Sequence, residues 1–149
     1  MRNTLLLVVI VAFAAVVAQA ATGGTTDVVS FYAQHPVTVS CEPLLKNDGP
    51  QAWSEQETAT VHMDVSLCRQ LQRPKSVEFP FALTVLIHEA AHQRFGDVTN
   101  NWAAERRAQC FAEKNLRHAL QRFYGWPRQA AIVALRQVQR NEGCSSWNS

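Results

Sequence analysis

The sequence predicts an α+β fold, in which a short antiparallel sheet packs on a pair of helices and a third helix follows. Two short runs rich in β-branched residues, 37–41 and 59–63, have the composition of strands. Three longer segments have the length and boundary residues of helices, and they begin near Pro80, Asn100 and Pro127. A chain of this size is expected to form one domain around one core.

The N-terminus has the pattern of a secretory signal peptide over residues 1–20. Arg2 carries a positive charge, residues 5–18 are unbroken apolar sequence, and Ala18-Gln19-Ala20 is a small-x-small cleavage site. The apolar run is too short for a helix that spans a bilayer. We therefore expect cleavage, secretion of residues 21–149 as a single domain, and no stable insertion in a membrane. The alternative is an uncleaved N-terminal anchor.

The charge of the chain points away from nucleic acid as a partner. The formal net charge is only +2, and nucleic-acid binding requires a concentrated basic patch. Arginines do recur from Arg94 to Arg140, but at helical spacing they are typical of solvated helix faces. We expect a monomer.

The four cysteines all follow the signal peptide. An even number in an oxidising compartment implies two disulfides, for which three pairings exist. We favour one bridge in each half of the chain, Cys41–Cys68 and Cys110–Cys144, each stabilising the fold by about 3–4 kcal/mol in the loop-entropy treatment. The alternative role, thiolate metal ligands, lacks the close C-x-x-C pair that such sites use.

The segments before the central helix are short. Residues 21–34 contain a linker-like Gly-Gly-Thr-Thr run and are expected to be loose. The strands at 37–41 and 59–63 are expected to pair antiparallel, with only loop between them. Asp64 or Ser66 can then cap a short helix.

The longest apolar stretch of the exported part runs from Phe81 to Ala91. Pro80 suits the first turn of a helix, and Gly96 is typical of a helix end. Because the stretch is apolar on every side, it predicts a helix buried all round. The sequence nevertheless places two histidines and a glutamate in it, and burying them without partners would cost several kcal/mol. A metal ion would supply the partner.

The spacing of these three residues supports that interpretation. His88 and His92 lie one helical turn apart, so two imidazole nitrogens can reach one Zn²⁺ at about 2.0–2.1 Å. Glu89 is offset around the helix, near enough to reach a water molecule on the metal. This H-E-x-x-H pattern resembles the zincin metallopeptidases, in which the glutamate is the general base. The alternative is a pair of core histidines bonded to backbone, which leaves Glu89 without a role.

A catalytic zinc site takes three protein ligands. Phe95 and Val98 stand where a metzincin would continue its motif, and Asp97 is one place off the aspartate pattern. Glu105 begins an E-x-x-A-x-x-F-A run that resembles the ligand helix of compact gluzincins, and this resemblance implies Glu105 as the third ligand. The alternative is an exposed glutamate favoured by the helix dipole. Two other candidates lie too far along the same helix, Glu113 and His118.

The resemblance implies a secreted zinc metallopeptidase that hydrolyses a protein or peptide substrate. Glu89 would serve as general base beside zinc held by His88, His92 and Glu105. In zincins an edge strand holds the substrate by strand addition, and residues 59–63 are the candidate strand here. The residue that stabilises the oxyanion is not evident, with His62 and Tyr124 as weak candidates. The alternative function is a secreted, zinc-stabilised interaction module without protease activity.

Overall fold

The computed structural model describes residues 24–44, 51–98 and 101–144, so the signal-peptide prediction lies outside the described residues. Within these ranges the chain forms five helices and three strands. In chain order they are α1 (24–33), β1 (Thr38–Glu42), β2 (Ala52–Glu55), β3 (Thr60–Asp64), α2 (Val65–Leu71), α3 (Phe79–Phe95), α4 (Trp102–Tyr124) and α5 (Arg128–Glu142).

The predicted α+β class is confirmed, but the sheet is mixed rather than antiparallel. The strand order is β1-β3-β2. β1 runs parallel to β3, with Thr38 opposite Thr60, whereas β2 runs antiparallel to β3, with Ala52 opposite Met63. The prediction was wrong because it treated β2 as loop. A tight turn folds β2 back on β3, which therefore becomes the central strand and leaves β1 to pair along its other side.

The segment expected to be loose contains α1. Its buried residues, Val28, Val29, Tyr32 and Ala33, recur at helical spacing and pack into the core. The Tyr32 hydroxyl lies 2.9 Å from His118 Nδ1 on α4. The helix therefore forms despite its linker-like first residues, because burial of four side chains stabilises it more than the low helix propensity of those residues opposes it.

The central helix α3 is buried on all sides, as the sequence predicted. Leu83, Leu86 and Ile87 are completely buried, and α3 contacts α2, α4, α5 and the sheet. It ends at Gly96, whose φ of 65° is the left-handed conformation that glycine adopts at helix ends. The helix is thus the core of the fold, and any polar side chain on it is enclosed by other elements.

Both predicted disulfides are confirmed. Cys41 on β1 is bonded to Cys68 on α2, with their Cα atoms 6.1 Å apart. Cys110 on α4 is bonded to Cys144 just after α5, with their Cα atoms 5.0 Å apart. No helix in the described ranges is long and apolar enough to cross a membrane.

The helix α4, predicted to begin near Asn100, begins at Trp102. Asn101 precedes it, and the Asn101 side-chain oxygen accepts a hydrogen bond from the Ala104 N–H at 3.0 Å. Asn101→Ala is expected to lower the free energy of unfolding by about 1 kcal/mol, because a donor of the first turn loses its acceptor. Asn101→Ser retains a capping oxygen and should lose less in the same denaturant titration. Equal losses would show that the cap does not stabilise this helix.

Candidate metal centre

Three side chains converge between α3 and α4. His88 and His92 project from the same face of α3, and Glu105 projects from the first turn of α4. One ligand atom from each lies within 4.8 Å of the others, and the group could hold a metal ion. The two histidines come together because they are one helical turn apart. Glu105 joins them because α4 packs along α3, an arrangement that no local pattern encodes.

The distances fit the chemistry of a small metal ion. Two separations are measured from His88 Nε2, 3.0 Å to Glu105 Oε2 and 3.1 Å to His92 Nε2. The third, from His92 Nε2 to Glu105 Oε1, is 3.3 Å. Ligand atoms bound to one tetrahedral zinc at about 2.0–2.1 Å lie about 3.3 Å from each other. The donor set of two imidazoles and one carboxylate is also one that catalytic zinc sites use.

The second nitrogen of each imidazole is held by a neighbour on the far side from this point. His88 Nδ1 lies 3.2 Å from Gln109 Oε1, and His92 Nδ1 lies 3.2 Å from Asp97 Oδ2. Asp97 is itself paired with the Arg107 guanidinium. An oxygen at Nδ1 favours a proton there and leaves the Nε2 lone pair directed at the shared point. Asp97 thus orients His92 from outside the donor set.

The burial of His88 also favours its neutral, metal-binding form. Burial lowers the pKa of His88, and repulsion from His92 lowers it further, although Glu105 and the hydrogen bonds to Gln109 and Glu105 oppose this shift. Neutral imidazole is the form that donates its lone pair to a metal.

Glu89 is buried beside the donor atoms. Only 7% of its surface is exposed, and no group in the described ranges forms a hydrogen bond or ion pair with its carboxylate. Burial, and secondarily the charge of Glu105, raises the pKa of Glu89 to about 8. A buried carboxyl group without a partner is costly to keep. Glu89 therefore lies next to the three donors with no hydrogen-bond or ion-pair partner among the described residues.

The strand β2, which the sequence analysis missed, flanks this site. Gln93 of α3 donates one hydrogen bond to Ser54 Oγ and one to the Glu55 carbonyl, each at 2.8 Å. Just after the strand, Gln56 Nε2 donates to the His92 carbonyl at 2.7 Å. These three bonds join β2 to the end of α3 that carries the histidines. A short polar strand has few features by which its sequence differs from a loop. Here the one indication was the alternation of more buried and more exposed residues from Ala52 to Glu55.

Three further sequence predictions, for the substrate strand and for two candidate residues that would stabilise the oxyanion, do not agree with the structure. β3 is paired on both sides and therefore has no free edge for a substrate strand. His62 lies on the opposite sheet face from Val61 and Met63, where it stacks on Trp53 and contacts Glu42. Tyr124 packs on Phe79, at the opposite end of α3 from His92. Neither residue can reach an oxyanion beside the histidines.

Four other residues around the donor atoms have roles that were not predicted from the sequence. They are Gln56, Gln93, Asp97 as a partner of His92, and Gln109. The spacing of Gln109, one helical turn after Glu105, was the available signal, because residues four apart on α4 face the same neighbour.

The resemblance to zincins expected from the sequence depends on the H-E-x-x-H and E-x-x-A-x-x-F-A residues alone. The E-x-x-A-x-x-F-A segment places Glu105 against the histidines, and Ala108 within it is completely buried. The chain matches no known family model, no curated protein and no solved structure.

Proposed function

We propose that the protein is a secreted zinc-dependent metallopeptidase. The observation that carries the proposal is Glu89, a buried carboxyl group without a partner among the described residues, adjacent to two converging imidazoles. A zinc site that only stabilises a fold has no use for an unligated carboxylate beside it. Secretion is supported by the signal-like residues 1–20 and by the two disulfides, which form in oxidising compartments.

The proposed roles follow from the chemistry of each group. Zinc held by His88, His92 and Glu105 would acidify a water molecule and polarise the scissile carbonyl. Glu89 accepts a proton from the attacking water and passes it to the leaving amine. A cation close to Glu89 favours the ionised carboxylate, which is the form that can accept this proton. The enclosure of α3 limits access of bulk water to the reacting groups.

The strand that would hold the substrate is β2 rather than β3. The Asp64 N–H donates to the Gln51 carbonyl at 2.8 Å, which fixes the alternation of backbone groups along β2. Ala52 and Ser54 therefore direct their N–H and C=O groups away from β3. An extended peptide could pair with these groups while it lies next to the histidines, because Gln93 and Gln56 join β2 to α3.

The decisive experiment combines metal content with hydrolysis. The protein lacking residues 1–20 is expected to contain one zinc ion per chain and to cleave an unstructured protein substrate, with activity lost on chelation and restored by zinc. The residues needed for both are outside the removed segment. Zinc without hydrolysis of any unstructured substrate would favour the interaction module, and the absence of both would overturn the metal site itself.

A further inference from the structure

A chain of hydrogen bonds runs from His88 to the Cys110–Cys144 disulfide through two buried side chains. His88 Nδ1 contacts Gln109 Oε1, and Gln109 Nε2 donates to Glu113 Oε1 at 3.2 Å. The same oxygen, Glu113 Oε1, accepts a hydrogen bond from the Cys144 backbone N–H. Gln109 and Glu113 are each 7% exposed. We propose that this relay, fixed at its far end by the Cys110–Cys144 disulfide, sets the imidazole tautomer of His88 and thereby its affinity for metal.

The direction of each hydrogen bond follows from what the groups can do. The Glu113 oxygen receives a backbone N–H, so it acts as an acceptor and requires a donor from Gln109. The Gln109 amide must then present its NH₂ group to Glu113 and its oxygen to His88. That oxygen can only accept, so it favours the His88 tautomer with the proton on Nδ1, against Glu105 Oε2, which lies 3.0 Å from Nε2 and competes for the proton when no metal is bound. In the Nδ1–H tautomer, the Nε2 lone pair of His88 is left for the point shared with His92.

The disulfide holds the far end of this relay in place. Cys110 lies on α4 directly after Gln109 and three residues before Glu113, so the bridge brings Cys144 against the same part of the helix. Gly143 lets the chain leave α5 before Cys144, because a Cβ atom there would lie 2.3 Å from the Gln139 carbonyl oxygen of the same helix. Without the bridge, the segment after α5 is no longer tied to Glu113, and the acceptor that orients Gln109 loses its own partner.

The inference rests on the proposed metal centre, and the second disulfide provides a matched control. Cys41–Cys68 closes a loop of similar length, with a sequence separation of 27 against 34, but joins β1 to α2. The Cys110→Ser/Cys144→Ser variant is expected to bind zinc about tenfold more weakly, the usual scale for a lost partner of a ligating histidine. The Cys41→Ser/Cys68→Ser variant should keep its affinity within about twofold, although its fold is destabilised to a similar extent.

A second pair of variants tests Glu113 directly. Glu113→Leu removes the acceptor and should weaken zinc binding about tenfold, whereas Glu113→Gln keeps an acceptor oxygen and should weaken it less. Affinity is measured by competition with a chromogenic chelator well below the unfolding temperature, so that differences in stability do not enter. In the metal-free protein, nitrogen NMR of the His88 ring should show a larger share of Nδ1–H in the wild type than in Glu113→Leu.

Each outcome separates the relay from the metal centre. Equal losses of affinity in the two disulfide variants, or an unchanged His88 tautomer in Glu113→Leu, would overturn the relay alone. A wild-type protein that binds no zinc overturns the proposed function together with the effect on affinity. If Glu113→Leu does not fold, the two disulfide variants still decide, since equal losses of affinity in them contradict the relay.

Discussion

Glu89→Gln is expected to retain zinc and the native fold while its catalytic rate falls by about a hundredfold or more, the usual scale for a lost general base. Glutamine keeps the size of the side chain and can still form a hydrogen bond with water, but it cannot accept a proton at neutral pH. The fold should survive because Glu89 is buried and the neutral amide carries no charge to desolvate. The measurement is peptide hydrolysis alongside zinc content.

His88→Ala is the comparison for this variant. It removes a donor atom of the His88, His92 and Glu105 cluster, so zinc and activity should be lost together, with a decrease in stability. If Glu89→Gln loses zinc as readily as His88→Ala, then Glu89 is itself a ligand and the site is not of the zincin type. If Glu89→Gln keeps zinc and full activity, the general base is another group.

Glu105→Gln is the second prediction with a large effect. It should weaken zinc binding by more than about a hundredfold, because loss of a ligand exceeds the 10–100-fold cost of losing a partner behind a ligand. Glutamine has nearly the same shape, but it removes the only negative charge among the three donors. Hydrolysis should fall in proportion to the zinc lost at limiting metal. Chelator competition measures the affinity, and cobalt(II) absorption reports the coordination geometry.

Asp97→Asn tests whether the roles of the two acidic residues have been assigned correctly. Asp97 contacts His92 Nδ1, away from the donor point, so its loss should weaken zinc binding by only about tenfold. Glu57→Gln, on an exposed residue of the turn between β2 and β3, is the neutral control. A larger loss of zinc in Asp97→Asn than in Glu105→Gln would exchange the two assignments and make Asp97 the third ligand.

Much of the candidate site could be predicted because it is encoded locally. His88, Glu89 and His92 lie within five consecutive residues of one helix, whose period fixes which side chains share a face. Pro80 and Gly96 mark the ends of that helix for reasons that are equally local, a missing N–H and a left-handed backbone conformation. The disulfide pairing was also predictable, because each bridge closes a loop within one half of the chain.

Other features depend on which elements meet, and no local pattern contains that information. The alternation of β2 is too short to distinguish it from loop, and only its pairing with β3 makes β3 central and β1 parallel to it. The helix α1 is stabilised by the core that its apolar face joins. In the sequence, nothing distinguishes Gln109 and Glu113 from other polar residues of a helix, so their contacts could not be predicted.

The sequence by itself therefore determined the α+β class, the buried helix with its two histidines and glutamate, and the two disulfides. The tertiary structure alone decided that Glu105 lies 3.0 Å from His88, that Asp97 supports His92, and that β2 rather than β3 borders the site. The physical reason is the range of the interactions involved. Helical periodicity, capping and loop closure act over a few residues or one chain segment, whereas helix packing and strand order are settled by burial of the whole core.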